Sequence, residues 1–137
     1  MVFATRNRAM VLEKEHRKEL YMYLYGVLKA RNCFTLRIGG IENHVHLLFD
    51  LHPAVALADV VKSLKQGSSG WARKQDFFPY FAGWASGYFA GSVGPEGKDR
   101  CIEYIKGQEV HHHGVEYIDE IKQEIEQHGL LWVDSEW

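Results

Sequence analysis

The sequence predicts an α+β fold: a ferredoxin-like, split β-α-β core with an antiparallel sheet and additional C-terminal helices. Three observations lead there. Apolar residues recur at three- and four-residue spacing in two long stretches, residues 12–30 and 55–75. Short runs with strand character stand around them, at residues 2–6, 33–38, 42–51 and 87–93. The order is therefore β-α-β-β-α-β, with helical patterns continuing afterwards.

The elements follow in chain order. Residues 2–6 read as a first strand, with Arg6-Asn7-Arg8 as its polar exit. Leu12, His16, Leu20, Tyr23, Leu24, Val27 and Leu28 mark a long helix over 12–30, which Arg31-Asn32 ends. Residues 33–38 form a second strand. Gly39-Gly40 is a hairpin signal, so the third strand, 42–51, runs antiparallel to the second until His52-Pro53 closes it. Val55, Leu57, Val60, Val61 and Leu64 are the apolar stripe of a helix over 55–75, and Gly67 and Gly70 are points where it could break. Residues 76–84 are aromatic and irregular, and 87–93 read as a further strand. Gly94-Pro95-Glu96-Gly97 is a turn. A third helix is predicted over about 98–110 and a fourth over about 115–128, stopped by Gly129. The apolar tail Leu130-Leu131-Trp132-Val133 and Trp137 packs on the body or on a partner subunit.

At 137 residues the chain is expected to be one domain, 1–137, able to bury a real core. It has no apolar run of membrane-spanning length and no secretory signal pattern, so a cytoplasmic, membrane-free protein is expected. Its two cysteines, Cys33 and Cys101, make no disulfide framework and read as thiols in a reducing compartment. The net charge of −2 hides an asymmetry. Residues 1–75 have a balance of +6 and residues 76–137 a balance of −8. A basic half can hold an anionic polymer, although ordinary solvated faces would give the same count.

The chemistry-bearing stretch is Ile41 to Asp50. Strand side chains alternate, so His44 and His46 share a face while Val45 and Leu47 share the other. Two neighbouring imidazoles on a strand are half of a metal site. On the third helix, Tyr104 and Gln108 are four residues apart and share a face. An amide oxygen there can ligate the same metal while the phenol attacks a bound phosphate. A tyrosine with a free pKa of about 10 needs activation for that task. Imidazole and amide ligands admit Mn²⁺ and, less tightly, Mg²⁺, with Zn²⁺ possible in vitro. Each feature also has an ordinary reading: hydrogen-bonded histidines, a core tyrosine and a surface amide.

Glu42-Asn43-His44-Val45-His46-Leu47-Leu48 resembles the metal motif of the single-tyrosine HUH transposases, the insertion sequence 200/605 group and its REP-associated relatives. Val60 to Trp71, Gly87 to Val93 and Ile102 to His112 resemble later pieces of the same family in the same order. The resemblance implies His44, His46 and Gln108 as metal ligands for Mg²⁺ or Mn²⁺, and Tyr104 as the nucleophile. It implies a 5′-phosphotyrosine on single-stranded DNA, recognition of hairpin ends and release of a 3′-hydroxyl. It also implies a homodimer, often with one subunit's tyrosine helix completing the other's histidine site.

Arg6, Arg8, Lys62, Lys65, Arg73 and Lys74 are candidate DNA-phosphate contacts, with a solvated face as the alternative. His111-His112-His113 read as helix-end cations. Tyr88 and the aromatics at 77–84 read as packing or subunit contacts, with stacking on unpaired bases as the functional alternative. His16 and His128 read as core histidines. The competing functions are a catalytically inactive or domesticated nucleic-acid-binding relative, a replication-initiator-like nickase and, more distantly, a metal-dependent hydrolase using water.

Overall fold

The alternation of Val45 and Leu47 with His44 and His46 divides the sheet into a core face and a site face, and the remaining elements are disposed about that division. The computed structural model describes residues 1–107. Its elements are β1 (Val2–Ala4), α1 (Arg17–Ala30), β2 (Phe34–Ile41), β3 (His44–Asp50), α2 (Leu57–Lys74) and α3 (Lys98–Lys106). Single 3₁₀ turns at Arg6–Arg8 and Lys14–His16 lead from β1 into α1.

The sheet order is β1-β3-β2, and both pairings are antiparallel. β1 and β2 therefore run parallel with β3 between them, which is the split β-α-β arrangement. Val45 and Leu47 join Phe3, Leu20, Leu24, Leu28, Val60 and Leu64 in one core beneath α1 and α2. On the opposite face α3 lies over Gly39, the pairing partner of His46. A register irregularity between Thr35 and Arg37 breaks the outer strand near its start.

The expected hairpin turn at Gly39-Gly40 is corrected. Both glycines lie inside β2, opposite His46 and Val45, and Glu42-Asn43 make the turn. A Cβ on Gly39 would stand 2.7 Å from Ile105 Cγ2 and 2.9 Å from the Ile105 carbonyl, while one on Gly40 would strike the His44 carbonyl. Close approach, not reversal of direction, explains these glycines. Glu42 and Asn43 avoid the left-handed conformation of primed hairpin turns. Their turn is held from outside instead: Thr5 N–H donates to the Asn43 carbonyl at 2.9 Å, and Leu12 N–H to the Glu42 carbonyl at 2.8 Å.

That last bond also shortens the first helix. Leu12 is buried as expected, but its backbone is committed to the turn, so α1 starts only at Arg17. His16 is accordingly not a core helix position; it is half-buried, with its ring stacked on Phe77 at 4.5 Å. The end of α1 is where Arg31-Asn32 placed it. Asn32 takes φ 59°, Cys33 N–H donates to the Leu28 carbonyl and Asn32 N–H to that of Lys29, forming a Schellman cap.

α2 continues unbroken through Gly67 and Gly70. A Cβ at Gly67 would stand 3.0 Å from Tyr23 Oη, so this glycine seats α1 against α2. At Gly70 a Cβ would meet nothing within 4 Å. Gly70→Ala is therefore expected to stabilise the protein by about 1 kcal/mol through backbone entropy alone. Thermal denaturation followed by circular dichroism would show a rise of roughly 3–5 °C.

The predicted strand at 87–93 is not continuous. Residues 83–89 run along the free edge of β1 and touch it through separate bridges, Val2 with Phe89 and Thr5 with Trp84. Between the bridges the carbonyls of Ala85 and Gly87 turn to the Lys65 ammonium, at 2.7 and 2.8 Å, and are lost to the ladder. Among the irregular aromatics, Phe78 and Trp84 are core residues, while Tyr80 is 79% exposed. Ser68, a polar residue of α2, is fully buried and accepts the Trp84 indole N–H at 2.8 Å. Cys33 is buried and Cys101 half-buried, and no disulfide joins them. The predicted helix 115–128, the apolar tail, His111 to His113 and His128 lie outside the described residues. Among the described residues no helix is long and apolar enough to cross a membrane.

Candidate active site

β3 is the central strand, so His44 and His46 are flanked on both sides. On the neighbouring strands Ala4 and Ile41 share the face beside His44, and Val2 and Gly39 the face beside His46; Ala4 and Gly39 are small. This leaves room for two imidazoles within a closed surface. His44 is 0% and His46 4% exposed, and their ring centroids are 4.9 Å apart. Nδ1 of His44 lies 2.9 Å from Oδ1 of Asn43. Arg17, buried at the start of α1, donates to the Gly40 carbonyl at 3.4 Å and lies 3.9 Å from the Glu42 carboxylate. The histidine-bearing hairpin is thus tied to α1 as well as to the loop after β1.

α3 brings Tyr104 to the same place. Ile105 is buried over Gly39, and the half-buried Tyr104 ring stands edge-on to His46 with centroids 5.6 Å apart. A cavity of about 80 Å³ lies among Val2, His46, Phe89, Cys101, Tyr104 and Ile105. The phenol and an imidazole of one chain therefore meet without a second copy. A larger cavity of about 530 Å³ opens farther along the sheet among Leu36, Leu48, Leu57 and Val93. Among the described residues its charged side chains are Asp50 and Lys98, and the histidine pair does not line it.

A buried imidazole pair of this kind supplies two neutral nitrogen donors, which a divalent ion such as Mn²⁺ accepts and Mg²⁺ accepts less tightly. Among the described residues no group of three or more His, Cys, Asp or Glu side chains could hold a metal by itself. The predicted third ligand, Gln108, lies outside the described residues; α3 ends at Lys106 with Gly107 as its C-cap.

The basic residues separate into two sets. Lys62, Arg73 and Lys74 are exposed on α2, and Arg6 is exposed beyond β1. Lys62 and Arg73 lie eleven positions apart, about three turns or 16 Å along one helix face. Arg8 is half-buried, with its carbonyl turned to the Asn43 amide at 3.5 Å. Lys65 departs from the expected solvated stripe. Its Nζ donates to the two carbonyls of the 83–89 segment and sits 5.9 Å from the Phe3 ring centroid and 5.8 Å from that of Tyr88. Desolvation by this burial lowers its pKa below the ordinary lysine value of 10.5.

Lys65→Met would leave both carbonyls without their donor. We expect a loss of about 2–3 kcal/mol by chemical denaturation, with faster hydrogen exchange at the Ala85 and Phe89 amides. Because the folded-state pKa is depressed, the Lys65 contribution is fully present above 10.5 and falls away as pH drops through the folded value. The stability gap between the two proteins should therefore widen as pH rises through that window.

Two positions at the site escaped the sequence reading. Asn43 was hidden because the sequence pattern sets the turn three residues too early, and Arg17 because a charged residue inside a predicted helix reads as exposed. The signals for Asn43 were its place next to His44 and inside the stretch Glu42 to Leu48.

Compared with known proteins, residues 1–108 match the sequence profile of the family described as IS200-like transposases. Among solved structures, the chain is similar to one described as a candidate transposase from Deinococcus radiodurans R1. The two share 26% identity and a TM-score of 0.57, over 78% of this chain and 86% of that one. No curated protein matches the chain significantly.

Proposed function

The chain belongs to the IS200-like transposase family, and we propose that it cuts and rejoins single-stranded DNA through Tyr104, with Mg²⁺ or Mn²⁺ held by His44, His46 and Gln108. The observation that carries this reading is the meeting of the Tyr104 ring with a buried imidazole pair, across elements far apart in sequence. When bound, the ion would supply Lewis-acid polarisation of the scissile phosphate and stabilisation of developing charge.

The chain's own residues do the rest. β3 holds the imidazoles fixed, and α3 aims the phenol. The phenolic oxygen bonds to phosphorus as the bond from phosphorus to the 3′ oxygen breaks. The phenolic proton leaves to solvent, and the departing oxygen takes one up. The products are a 5′-phosphotyrosine and a free 3′-hydroxyl. One phosphodiester replaces another, so attack by a 3′-hydroxyl can reverse the step without an external energy source. Arg6, Arg8, Lys62, Arg73 and Lys74 are proposed phosphate contacts for a hairpin-bearing strand. We assign the site to one chain because Tyr104 lies beside its own His46; pairing of two chains as a homodimer is part of the same proposal.

Incubation with labelled hairpin-bearing single-stranded DNA and Mn²⁺ tests this reading. A protein–DNA adduct that survives denaturant and disappears with protease should form, together with a free 3′-hydroxyl fragment, and chelation should prevent both. Salt-sensitive hairpin binding with no adduct would overturn the catalytic reading in favour of a binding-only relative.

A further inference from the structure

Three parts of the fold converge on Asn43. The side chain sits in the hairpin turn and is 9% exposed. Its backbone carbonyl accepts hydrogen bonds from Thr5, from N–H at 2.9 Å and from Oγ1 at 3.3 Å. Its Nδ2 faces the Arg8 carbonyl at 3.5 Å, and its Oδ1 faces Nδ1 of His44 at 2.9 Å. Arg8 offers that carbonyl from an unusual loop, in which Asn7 and Arg8 take φ values of 56° and 55°. Two successive non-glycine residues in the left-handed region are strained, so the surrounding contacts must hold them there.

These contacts determine more than an orientation. A carbonyl oxygen only accepts, so the amide nitrogen must face Arg8; the flipped amide would set two oxygens against each other. Oδ1 is then the atom turned to His44, and an acceptor there requires a proton on Nδ1. A neutral imidazole carries one N–H, which leaves the lone pair on Nε2.

From this geometry we infer that Asn43 is a positioning residue that fixes His44 as the Nδ1–H tautomer and so makes Nε2 the nitrogen offered to the metal. The inference rests on the reading of His44 as a ligand, but the tautomer exists without the metal and can be measured without it. Acceptors that hold the far nitrogen of a ligating imidazole orient its ring, and their removal typically changes metal affinity 10- to 100-fold.

The test uses the full chain labelled with ¹⁵N, metal-free, at a pH of about 8.5, roughly two units above the ordinary imidazole value. Long-range ¹H–¹⁵N correlation should show the His44 proton on Nδ1 in the wild type. Asn43→Ala should move it wholly or partly to Nε2, and Mn²⁺ titration should show affinity about 10-fold weaker or worse. Asn43→Asp keeps the acceptor towards His44 but loses the donor towards Arg8. It should retain the wild-type tautomer and Mn²⁺ binding, which a merely structural role for Asn43 would not predict. A wild-type proton on Nε2 overturns the inference, as does an Asn43→Ala protein with unchanged tautomer and Mn²⁺ affinity, or an Asn43→Asp protein that loses both. A wild type that binds no Mn²⁺ would overturn the metal reading instead, while the tautomer measurement would still decide the role of Asn43.

Discussion

Tyr104→Phe is expected to lose the covalent DNA adduct altogether, a fall of more than about 10³-fold, with hairpin binding unchanged within about twofold. The substitution removes one oxygen and keeps the ring. That ring is half-buried and edge-on to His46, a contact that phenylalanine makes equally well. Stability should therefore hold, and the loss should be confined to bond making at phosphorus. The check is a denaturing gel for the adduct, a binding isotherm for the hairpin and a melting curve, all on the same preparation. Cleavage that continues without an adduct would mean that water attacks and that the phenol is only packing. An adduct that persists would place the nucleophile elsewhere.

Gly39→Val should damage the site without touching any group of the chemistry. The new Cβ would stand 2.7 Å from Ile105 Cγ2 and 2.9 Å from the Ile105 carbonyl. A side-chain methyl can rotate aside, but a backbone oxygen can move only with the helix. α3 must therefore shift, and Tyr104 precedes Ile105 in it. Misplacement of a reacting group by about 1 Å can cost about 10²-fold in rate, and overpacking of this kind costs about 1–3 kcal/mol in stability. Mn²⁺ binding should suffer less than cleavage, because β3 keeps both neighbouring strands. Single-turnover cleavage, metal titration and denaturant unfolding separate these effects. A wild-type cleavage rate in Gly39→Val would show that the phenol does not act from the seat that α3 occupies on its own sheet.

Local patterns in the chain carried the elements well. The helical spacing of Leu20, Leu24 and Leu28 produced α1, Arg31-Asn32 produced its cap, and the two-residue period of His44 and His46 placed them on one face. What the patterns could not carry was cause acting across the sequence. Gly39-Gly40 looked like a turn because glycine pairs usually mark turns; here the reasons are a helix some sixty-five residues later and a carbonyl on the next strand. Lys65 fell on the polar side of a helical wheel, yet two carbonyls of an irregular segment draw it inward. Ser68 did the same for an indole. The histidine pair and Tyr104 could be picked out by spacing and resemblance, but only folding could show that one chain brings them together. The role of Asn43 depends on which way its amide faces, and that is set by a carbonyl thirty-five residues earlier.

The two halves of the site differ in how firmly they are anchored. His44, Val45, His46 and Leu47 are all buried in a strand with partners on both sides, whereas α3 fully buries Ile105 alone. Local opening should favour the less embedded element. The phenol rides on the detachable arm and the imidazoles on the fixed post, so in the proposed reaction a tyrosine tethered to DNA could swing out and return while both imidazoles keep their place.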